Sequence, residues 1–236
     1  MLEIKDLYAG YFGSRVLNGI SLTAGEGTTL VAGANGAGKS TLIRSVNGGL
    51  RPVKGSISLD GKDVASLSSH VIAHAGVATV PERGRVFVNM TVEDNLRVSF
   101  ESVAKEKGEF EDAAESVYSF FPDLREKRGD KAGTLSGGQQ QMLSIGRAII
   151  TRPKLLLMDE PTTGLFPKTV KELVSKISDI SKGTSILLTE QNLAETMFIA
   201  GKVYILESGN IVFSGSPDEI RENPDLRHLY LGTGGR

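Results

Sequence analysis

The chain has no cysteine and no tryptophan, and aromatic residues make up only 6% of it. Without cysteine there are no disulfides and no thiolate metal sites, which fits the cytosol. No apolar run approaches the ~20 residues of a membrane helix. The N-terminus has no signal-peptide pattern, so any association with a membrane is expected to go through a partner. A charge excess is also missing. Lysine and arginine total 27 against 28 acids, a net charge of −1, so nothing argues for bulk binding to nucleic acid or acidic lipid. There is no internal repeat or low-complexity tract. What remains is 236 residues, 39% hydrophobic and 23% charged, enough for one large domain or a core with a subdomain.

The most informative feature present is Gly33-Ala34-Asn35-Gly36-Ala37-Gly38-Lys39-Ser40, a complete G-x-x-x-x-G-K-[ST] phosphate loop continued by Thr41. The run before it reads as a short buried strand over 28–32, and the run after it can start a helix over 39–46. That strand–loop–helix context gives the motif its meaning. Glycines let the backbone curl so that N–H groups converge on a phosphate, and the helix N-terminus adds partial positive charge. Lys39 would reach the outer phosphates, and the Ser40 hydroxyl would ligate Mg²⁺.

Strands are expected at 2–7, 16–22, 77–80, 155–158 and 184–189. Hairpins are expected over 55–63, turning at Asp60-Gly61, and around Ser208-Gly209-Asn210. Thr91 should cap one helix. A second, over 111–121, places Ala114, Val117, Phe120 and Phe121 near helical spacing and is stopped by Pro122. A third runs from Ser136 to about Thr151. Val170, Leu173, Val174 and Ile177 mark the inner face of a fourth, and a fifth is expected near 193–200. Strands alternating with helices around a phosphate loop imply a mostly parallel sheet flanked by helices, an α/β fold. The central helices read as an inserted subdomain.

Two further motifs carry chemistry. Leu155 to Met158 deliver Asp159 and Glu160 to the carboxyl edge of the sheet. Asp159 is suited to hold Mg²⁺ and Glu160 to act as general base toward a water. In Leu135-Ser136-Gly137-Gly138-Gln139, Ser136 can cap a helix whose first N–H groups the two glycines leave approachable. This is a second anion-binding helix end, distinct from the first.

With these motifs in this order, the chain resembles the nucleotide-binding subunit of an ATP-binding-cassette (ABC) transporter over essentially its whole length. The resemblance implies a single cassette over 1–236. Its ATPase core would comprise 1–82 and 150–236, with N-terminal antiparallel strands, and a helical signature subdomain would span 83–149. It places an adenine-stacking aromatic at Tyr11, with Val16 nearby, and a metal-touching, permease-sensing residue at Glu82, where most members have glutamine. The loop after Pro161 lacks the usual inter-subunit aspartate: it reads Thr163-Gly164-Leu165-Phe166. Gln191 stands where most members place a γ-phosphate-contacting histidine, and it cannot be protonated as imidazole can. His70, His74 and His228 lie elsewhere and read as surface or packing residues.

A subgroup follows from Val80-Pro81-Glu82, Arg83-Gly84-Arg85-Val86-Phe87, Met90-Thr91-Val92-Glu93-Asp94-Asn95-Leu96, Gly164-Leu165-Phe166-Pro167, Glu190-Gln191-Asn192 and Tyr230-Leu231-Gly232. The set is similar to the shorter ATPase subunit of high-affinity branched-chain amino acid importers. Urea and short-chain amide importers have similar ATPases. The resemblance implies ATP and Mg²⁺, two transmembrane permease subunits, a second cassette (a paralogue in the cell, with a homodimer left open for the isolated chain), and indirectly a periplasmic or extracellular solute-binding protein. It implies no nucleic acid. The location would be peripheral, on the cytoplasmic face of the membrane. Two cassettes would sandwich ATP head to tail, the partner's Ser136, Gly137, Gly138 and Gln139 closing over the γ-phosphate. Val86, Phe87, Val88 and Met90 either dock the permease or pack the helical subdomain. A non-transport ATPase switch of the same family is the competing class. A GTPase lacks support because no N-K-x-D guanine motif is present.

Overall fold

A computed structural model describes residues 1–103 and 110–226. His228 and Tyr230-Leu231-Gly232 lie outside the described residues. Two sheets organise the chain. The first is antiparallel: β1 (Leu2–Tyr11), β2 (Ser14–Ala24), β4 (Lys54–Leu59) and β5 (Lys62–Asp63), in the order β2-β1-β4-β5. The second contains β3 (Thr28–Ala32), β6 (Val77–Val80), β7 (Leu155–Asp159), β8 (Ser185–Glu190), β9 (Ala200–Glu207) and β10 (Asn210–Gly215). Its order is β10-β9-β3-β8-β7-β6, parallel throughout except for the β9–β10 hairpin. This is the expected α/β architecture, with a mainly parallel sheet and N-terminal antiparallel strands.

The central strands are apolar on both faces, as a sheet covered on both sides requires. Successive side chains point to opposite faces. Leu30, Ala32, Leu156, Met158, Ile186 and Leu188 therefore enter one core, and Val31, Leu155, Leu157 and Leu187 the other. The second core is closed by the antiparallel sheet and by α1 (Lys39–Val46), through Leu42, Ile43 and Val46. The first is closed by helices: α3 (Val92–Glu101), α4 (Phe110–Phe120), α5 (Pro122–Glu126), α6 (Gly137–Ile149), α7 (Pro167–Ile180) and α9 (Pro217–Glu222) all contribute to it. On α7, Val170, Leu173, Val174 and Ile177 are all buried, as their spacing predicts.

Three local differences from the sequence reading have physical causes. Pro122 does not merely stop α4 but opens α5, because a missing N–H costs nothing at the first helical position. The segment expected as a helix over 193–200 is the four-residue α8 (Leu193–Thr196) and a 3-10 turn, after which Ala200 already pairs in β9. A short helix not anticipated, α2 (Ser69–His74), carries His70 and His74 on its exposed side.

Candidate functional site

The phosphate loop leaves β3 at Gly33 and enters α1 at Lys39. Gly36 and Gly38 take positive φ values of 81° and 114°. A Cβ on Gly38 would stand 2.7 Å from Leu17 Cδ2 and 3.5 Å from Val16 Cγ1, so the loop needs glycine there and Val16 lies against it. The β9–β10 turn supports the loop from behind, Gly209 N–H donating to the Ala37 carbonyl at 2.9 Å. Asn35, Gly36 and Ala37 form its crest, with Asn35 and Gly36 exposed; Ser40 and Thr41 follow in the first turn of α1.

Lys39 is 3% exposed. Its ammonium donates to the Gly33 carbonyl at 2.6 Å and the Ala34 carbonyl at 2.9 Å, and meets Glu160 Oε1 at 3.1 Å. All three ammonium protons thus have acceptors. Glu160 sits just past β7 with φ of 46°, a left-handed turn that a bulky residue adopts only when its surroundings enforce it. The enforcing contacts are its N–H to the Thr189 carbonyl at 3.0 Å and the Thr163 hydroxyl donating to Oε2 at 3.2 Å. The buried Thr189 hydroxyl donates to Asp159 Oδ1 at 2.9 Å. Ser40, Glu82 and Asp159 line one cavity of about 420 Å³. A hydroxyl and one or two carboxylates, with room for phosphate and water, are the sparse oxygen set that suits Mg²⁺; among the described residues no three acidic or imidazole groups gather into a fuller cage.

The second helix end is built as expected. Ser136 Oγ accepts from Gln139 N–H at 3.3 Å, and Gln139 Oε1 accepts from Ser136 N–H at 3.1 Å, a complete capping box on α6. Gly137 faces open space, while a Cβ on Gly138 would stand 2.6 Å from Thr169 Cγ2. The chain thus presents two separate N–H-rich helix starts, one after a phosphate loop beside Lys39, Asp159 and Glu160. The sequence model described as ABC transporter matches residues 17–163.

The chain belongs to the ABC transporter family.

It is 38% identical to the high-affinity branched-chain amino acid transport ATP-binding protein BraG of Pseudomonas aeruginosa, over 96% of this chain and 98% of that one. It is 32% identical to the lipopolysaccharide export system ATP-binding protein LptB of Acidithiobacillus ferridurans, over 98% and 97%. A crystal structure of the ADP conformation of an ABC transporter ATP-binding cassette superposes with a TM-score of 0.86 at 26% identity, covering 98% of each chain. The protein is thus an ATP-binding subunit of an ABC transporter, an ATPase that works with transmembrane permease subunits. None of its described helices is long and apolar enough to cross a membrane.

Other candidate residues of the cassette divide. Tyr11 is half-buried, its hydroxyl accepting from Arg44 of α1 at 3.3 Å. The neighbouring Phe12, at φ 49°, is the fully exposed ring at the β1–β2 tip. Sequence reasoning passed over Phe12; its place directly before Gly13 was the available signal. Glu82 is half-buried and ion-paired at 3.1 Å with the adjacent Arg83. Gln191 is exposed where the chain leaves β8.

The residue before it, Glu190, enters the sequence reading only as part of the Glu190-Gln191-Asn192 subgroup motif, with no role of its own. It is 1% exposed and accepts the Thr162 N–H at 3.0 Å. Burial, with the Glu160 and Glu195 charges adding to it, pushes its carboxyl up to about 7 against the hydrogen bonds from Thr162.

Of the apolar run, Phe87, Val88 and Met90 are 45%, 50% and 39% exposed, while Val86 packs against the core. Buried Asn95 clamps the run, accepting from Phe87 N–H at 2.8 Å and donating to the Phe87 carbonyl at 3.0 Å. The Arg147 guanidinium lies 4.4 Å over the Phe87 ring and donates to the Arg85 carbonyl at 2.7 Å. Burial holds its pKa below the usual arginine range. Arg85, Val86, Phe87 and Arg147 edge a groove of about 540 Å³ that β6 and α6 also line.

Proposed function

We propose that this chain is the ATP-hydrolysing subunit of an importer for branched-chain amino acids, bound to the cytoplasmic face of the membrane. The observation that carries the reading is the 38% identity, over nearly the full length, to a protein named for that transport. Val80-Pro81-Glu82 and Glu190-Gln191-Asn192 support it. The 32% identity to a lipopolysaccharide export ATPase favours a second reading, in which the same ATPase drives export. Urea or amide import is a third cargo assignment. The partners in the first reading are two permease subunits, a paralogous second cassette, and a solute-binding protein acting from the far side. No nucleic acid takes part.

In this reading residues 1–82 and 150–236 form the ATPase core. Residues 83–149 form an arm that docks the permease through the exposed Phe87, Val88 and Met90. ATP lies on residues 35–41, its adenine stacked on Phe12 in place of Tyr11 and flanked by Val16. Ser40 and Asp159, with Glu82, would hold Mg²⁺, which would neutralise phosphate charge. Lys39 passes from Glu160 to the outer phosphate oxygens, leaving the Glu160 carboxylate free to accept a proton. An attacking water loses that proton to Glu160 as its oxygen bonds the γ-phosphorus; the bridging bond breaks and ADP leaves with the electron pair. The Gln191 amide donates to a γ-phosphate oxygen. Across the dimer, Ser136, Gly137, Gly138 and Gln139 of one cassette close over the other's nucleotide, so loss of phosphate loosens the pair.

Glu160→Gln tests the chemistry. Nucleotide affinity should stay within about twofold while turnover falls about 10²–10⁴-fold, the usual worth of a positioned base. Turnover near the wild-type rate would remove Glu160 from the role.

A further inference from the structure

Glu190 is a buried carboxylate that the mechanism above does not use. Among the described residues no lysine or arginine ion-pairs with it. An acid buried in this way lowers stability, so its contribution has to lie in what it holds. Four contacts converge on the last two residues of β8. The Glu190 carboxylate accepts the Thr162 N–H at 3.0 Å. Its main-chain carbonyl accepts the N–H of Gly33, first residue of the phosphate loop, at 3.1 Å. One residue earlier, the Thr189 carbonyl accepts the Glu160 N–H at 3.0 Å, and the Thr189 hydroxyl donates to Asp159. Beyond Thr162 the chain of contacts continues: the Thr163 hydroxyl donates to Glu160 Oε2 at 3.2 Å.

We propose that Glu190 is a positioning residue for hydrolysis. Its carboxylate fixes the 161–165 loop to the strand end that carries Gln191, and through Thr163 it orients the carboxylate of Glu160. The inference rests on the reading of Glu160 as the base. The side-chain tether keeps the loop after Pro161, and with it Thr163, in register with the Glu160 carboxylate, and a misplacement of about 1 Å among such groups can cost 10²-fold in rate. Leucine at 190 fills the space and removes the acceptor. Glutamine keeps an oxygen for the Thr162 N–H and removes the charge. Thr163 is only half-buried, so Thr163→Ala cuts the tether farther out without entering the core.

The test measures kcat and KM for ATP, together with thermal midpoint, on the transporter purified through the full chain. Glu190→Leu should lower kcat at least ~20-fold with KM within ~twofold and no loss of thermal midpoint. Glu190→Gln should return kcat to within ~threefold of wild type, and Thr163→Ala should lower it ~3–10-fold at an unchanged midpoint. Wild-type kcat in Thr163→Ala or Glu190→Leu overturns the inference. So does a kcat that falls only in proportion to lost folding, without rescue by glutamine. A Glu160→Gln enzyme at full rate overturns the site reading and this inference with it; a dead Glu160→Gln beside an unaffected Glu190→Leu overturns this inference alone.

Discussion

At the scale of single residues, the site is a set of charges brought close without bulk solvent. Lys39 and Glu160 meet at 3.1 Å with 3% and 12% of their side chains exposed. Glu190 gives a prediction with a definite sign. Its folded pKa of about 7 lies above the ordinary 4.5, so between these values the folded protein keeps a proton that the unfolded chain has lost. Stability therefore falls as pH rises through that window, and the loss is complete above about 7. Glu190→Gln abolishes this contribution. Its thermal midpoint should gain on wild type between pH 4.5 and 7, by an amount on the order of 3 kcal/mol in stability; parallel profiles would contradict the burial argument. Lys39, Ser40, Asp159 and Glu160 were legible in the sequence because fixed spacing and an adjacent apolar strand name them. Glu190 was not, because a glutamate at a strand end reads as solvated until the loop after Pro161 and the start of the phosphate loop are seen against it. The resemblance places the stacking aromatic at Tyr11 and does not weigh Phe12. The left-handed φ of Phe12 and the Arg44 contact of Tyr11 give the exposed ring to Phe12.

At the scale of elements, β3, α1, β6 and the apolar part of β7 have the bounds the sequence suggests, because glycine, proline and charge punctuate them sharply. The C-terminal side of β8 is less regular: a pattern suited to a helix over 193–200 is overridden at Ala200 by pairing of β9 with β3. The joint between β6 and the helices is the element-scale weak point. Gly84 has φ of 47°, and a Cβ there would stand 2.9 Å from Gln141 Cα and 3.0 Å from its N, whereas a Cβ on Gly61, at φ 77°, meets nothing within 4 Å. Gly61→Ala should cost only the left-handed penalty of about 1–2 kcal/mol. Gly84→Ala carries that penalty and adds a clash of about 1–3 kcal/mol. Urea unfolding of the two variants checks the order; equal losses would show that α6 gives way freely at this joint.

At the scale of the whole molecule, one mainly parallel sheet divides two cores, and its carboxyl edge gathers the phosphate loop, Asp159, Glu160 and Gln191. On the helical side, Phe87, Val88 and Met90 are exposed rather than folded into the core beneath them, with Asn95 bonded to both main-chain groups of Phe87. The sequence left docking and core packing equally open for this run; the exposure favours docking. Because the cargo does not bind at the ATPase site, the assignment to branched-chain amino acid import rests on relatedness and on motif details. It is tested most directly by capturing the full chain from its native membranes and identifying what comes with it. The account predicts two multispan permease subunits, a paralogous cassette and an amino-acid-binding protein. Recovery of lipopolysaccharide-export components, or of ribosomes or DNA-repair factors, would contradict it.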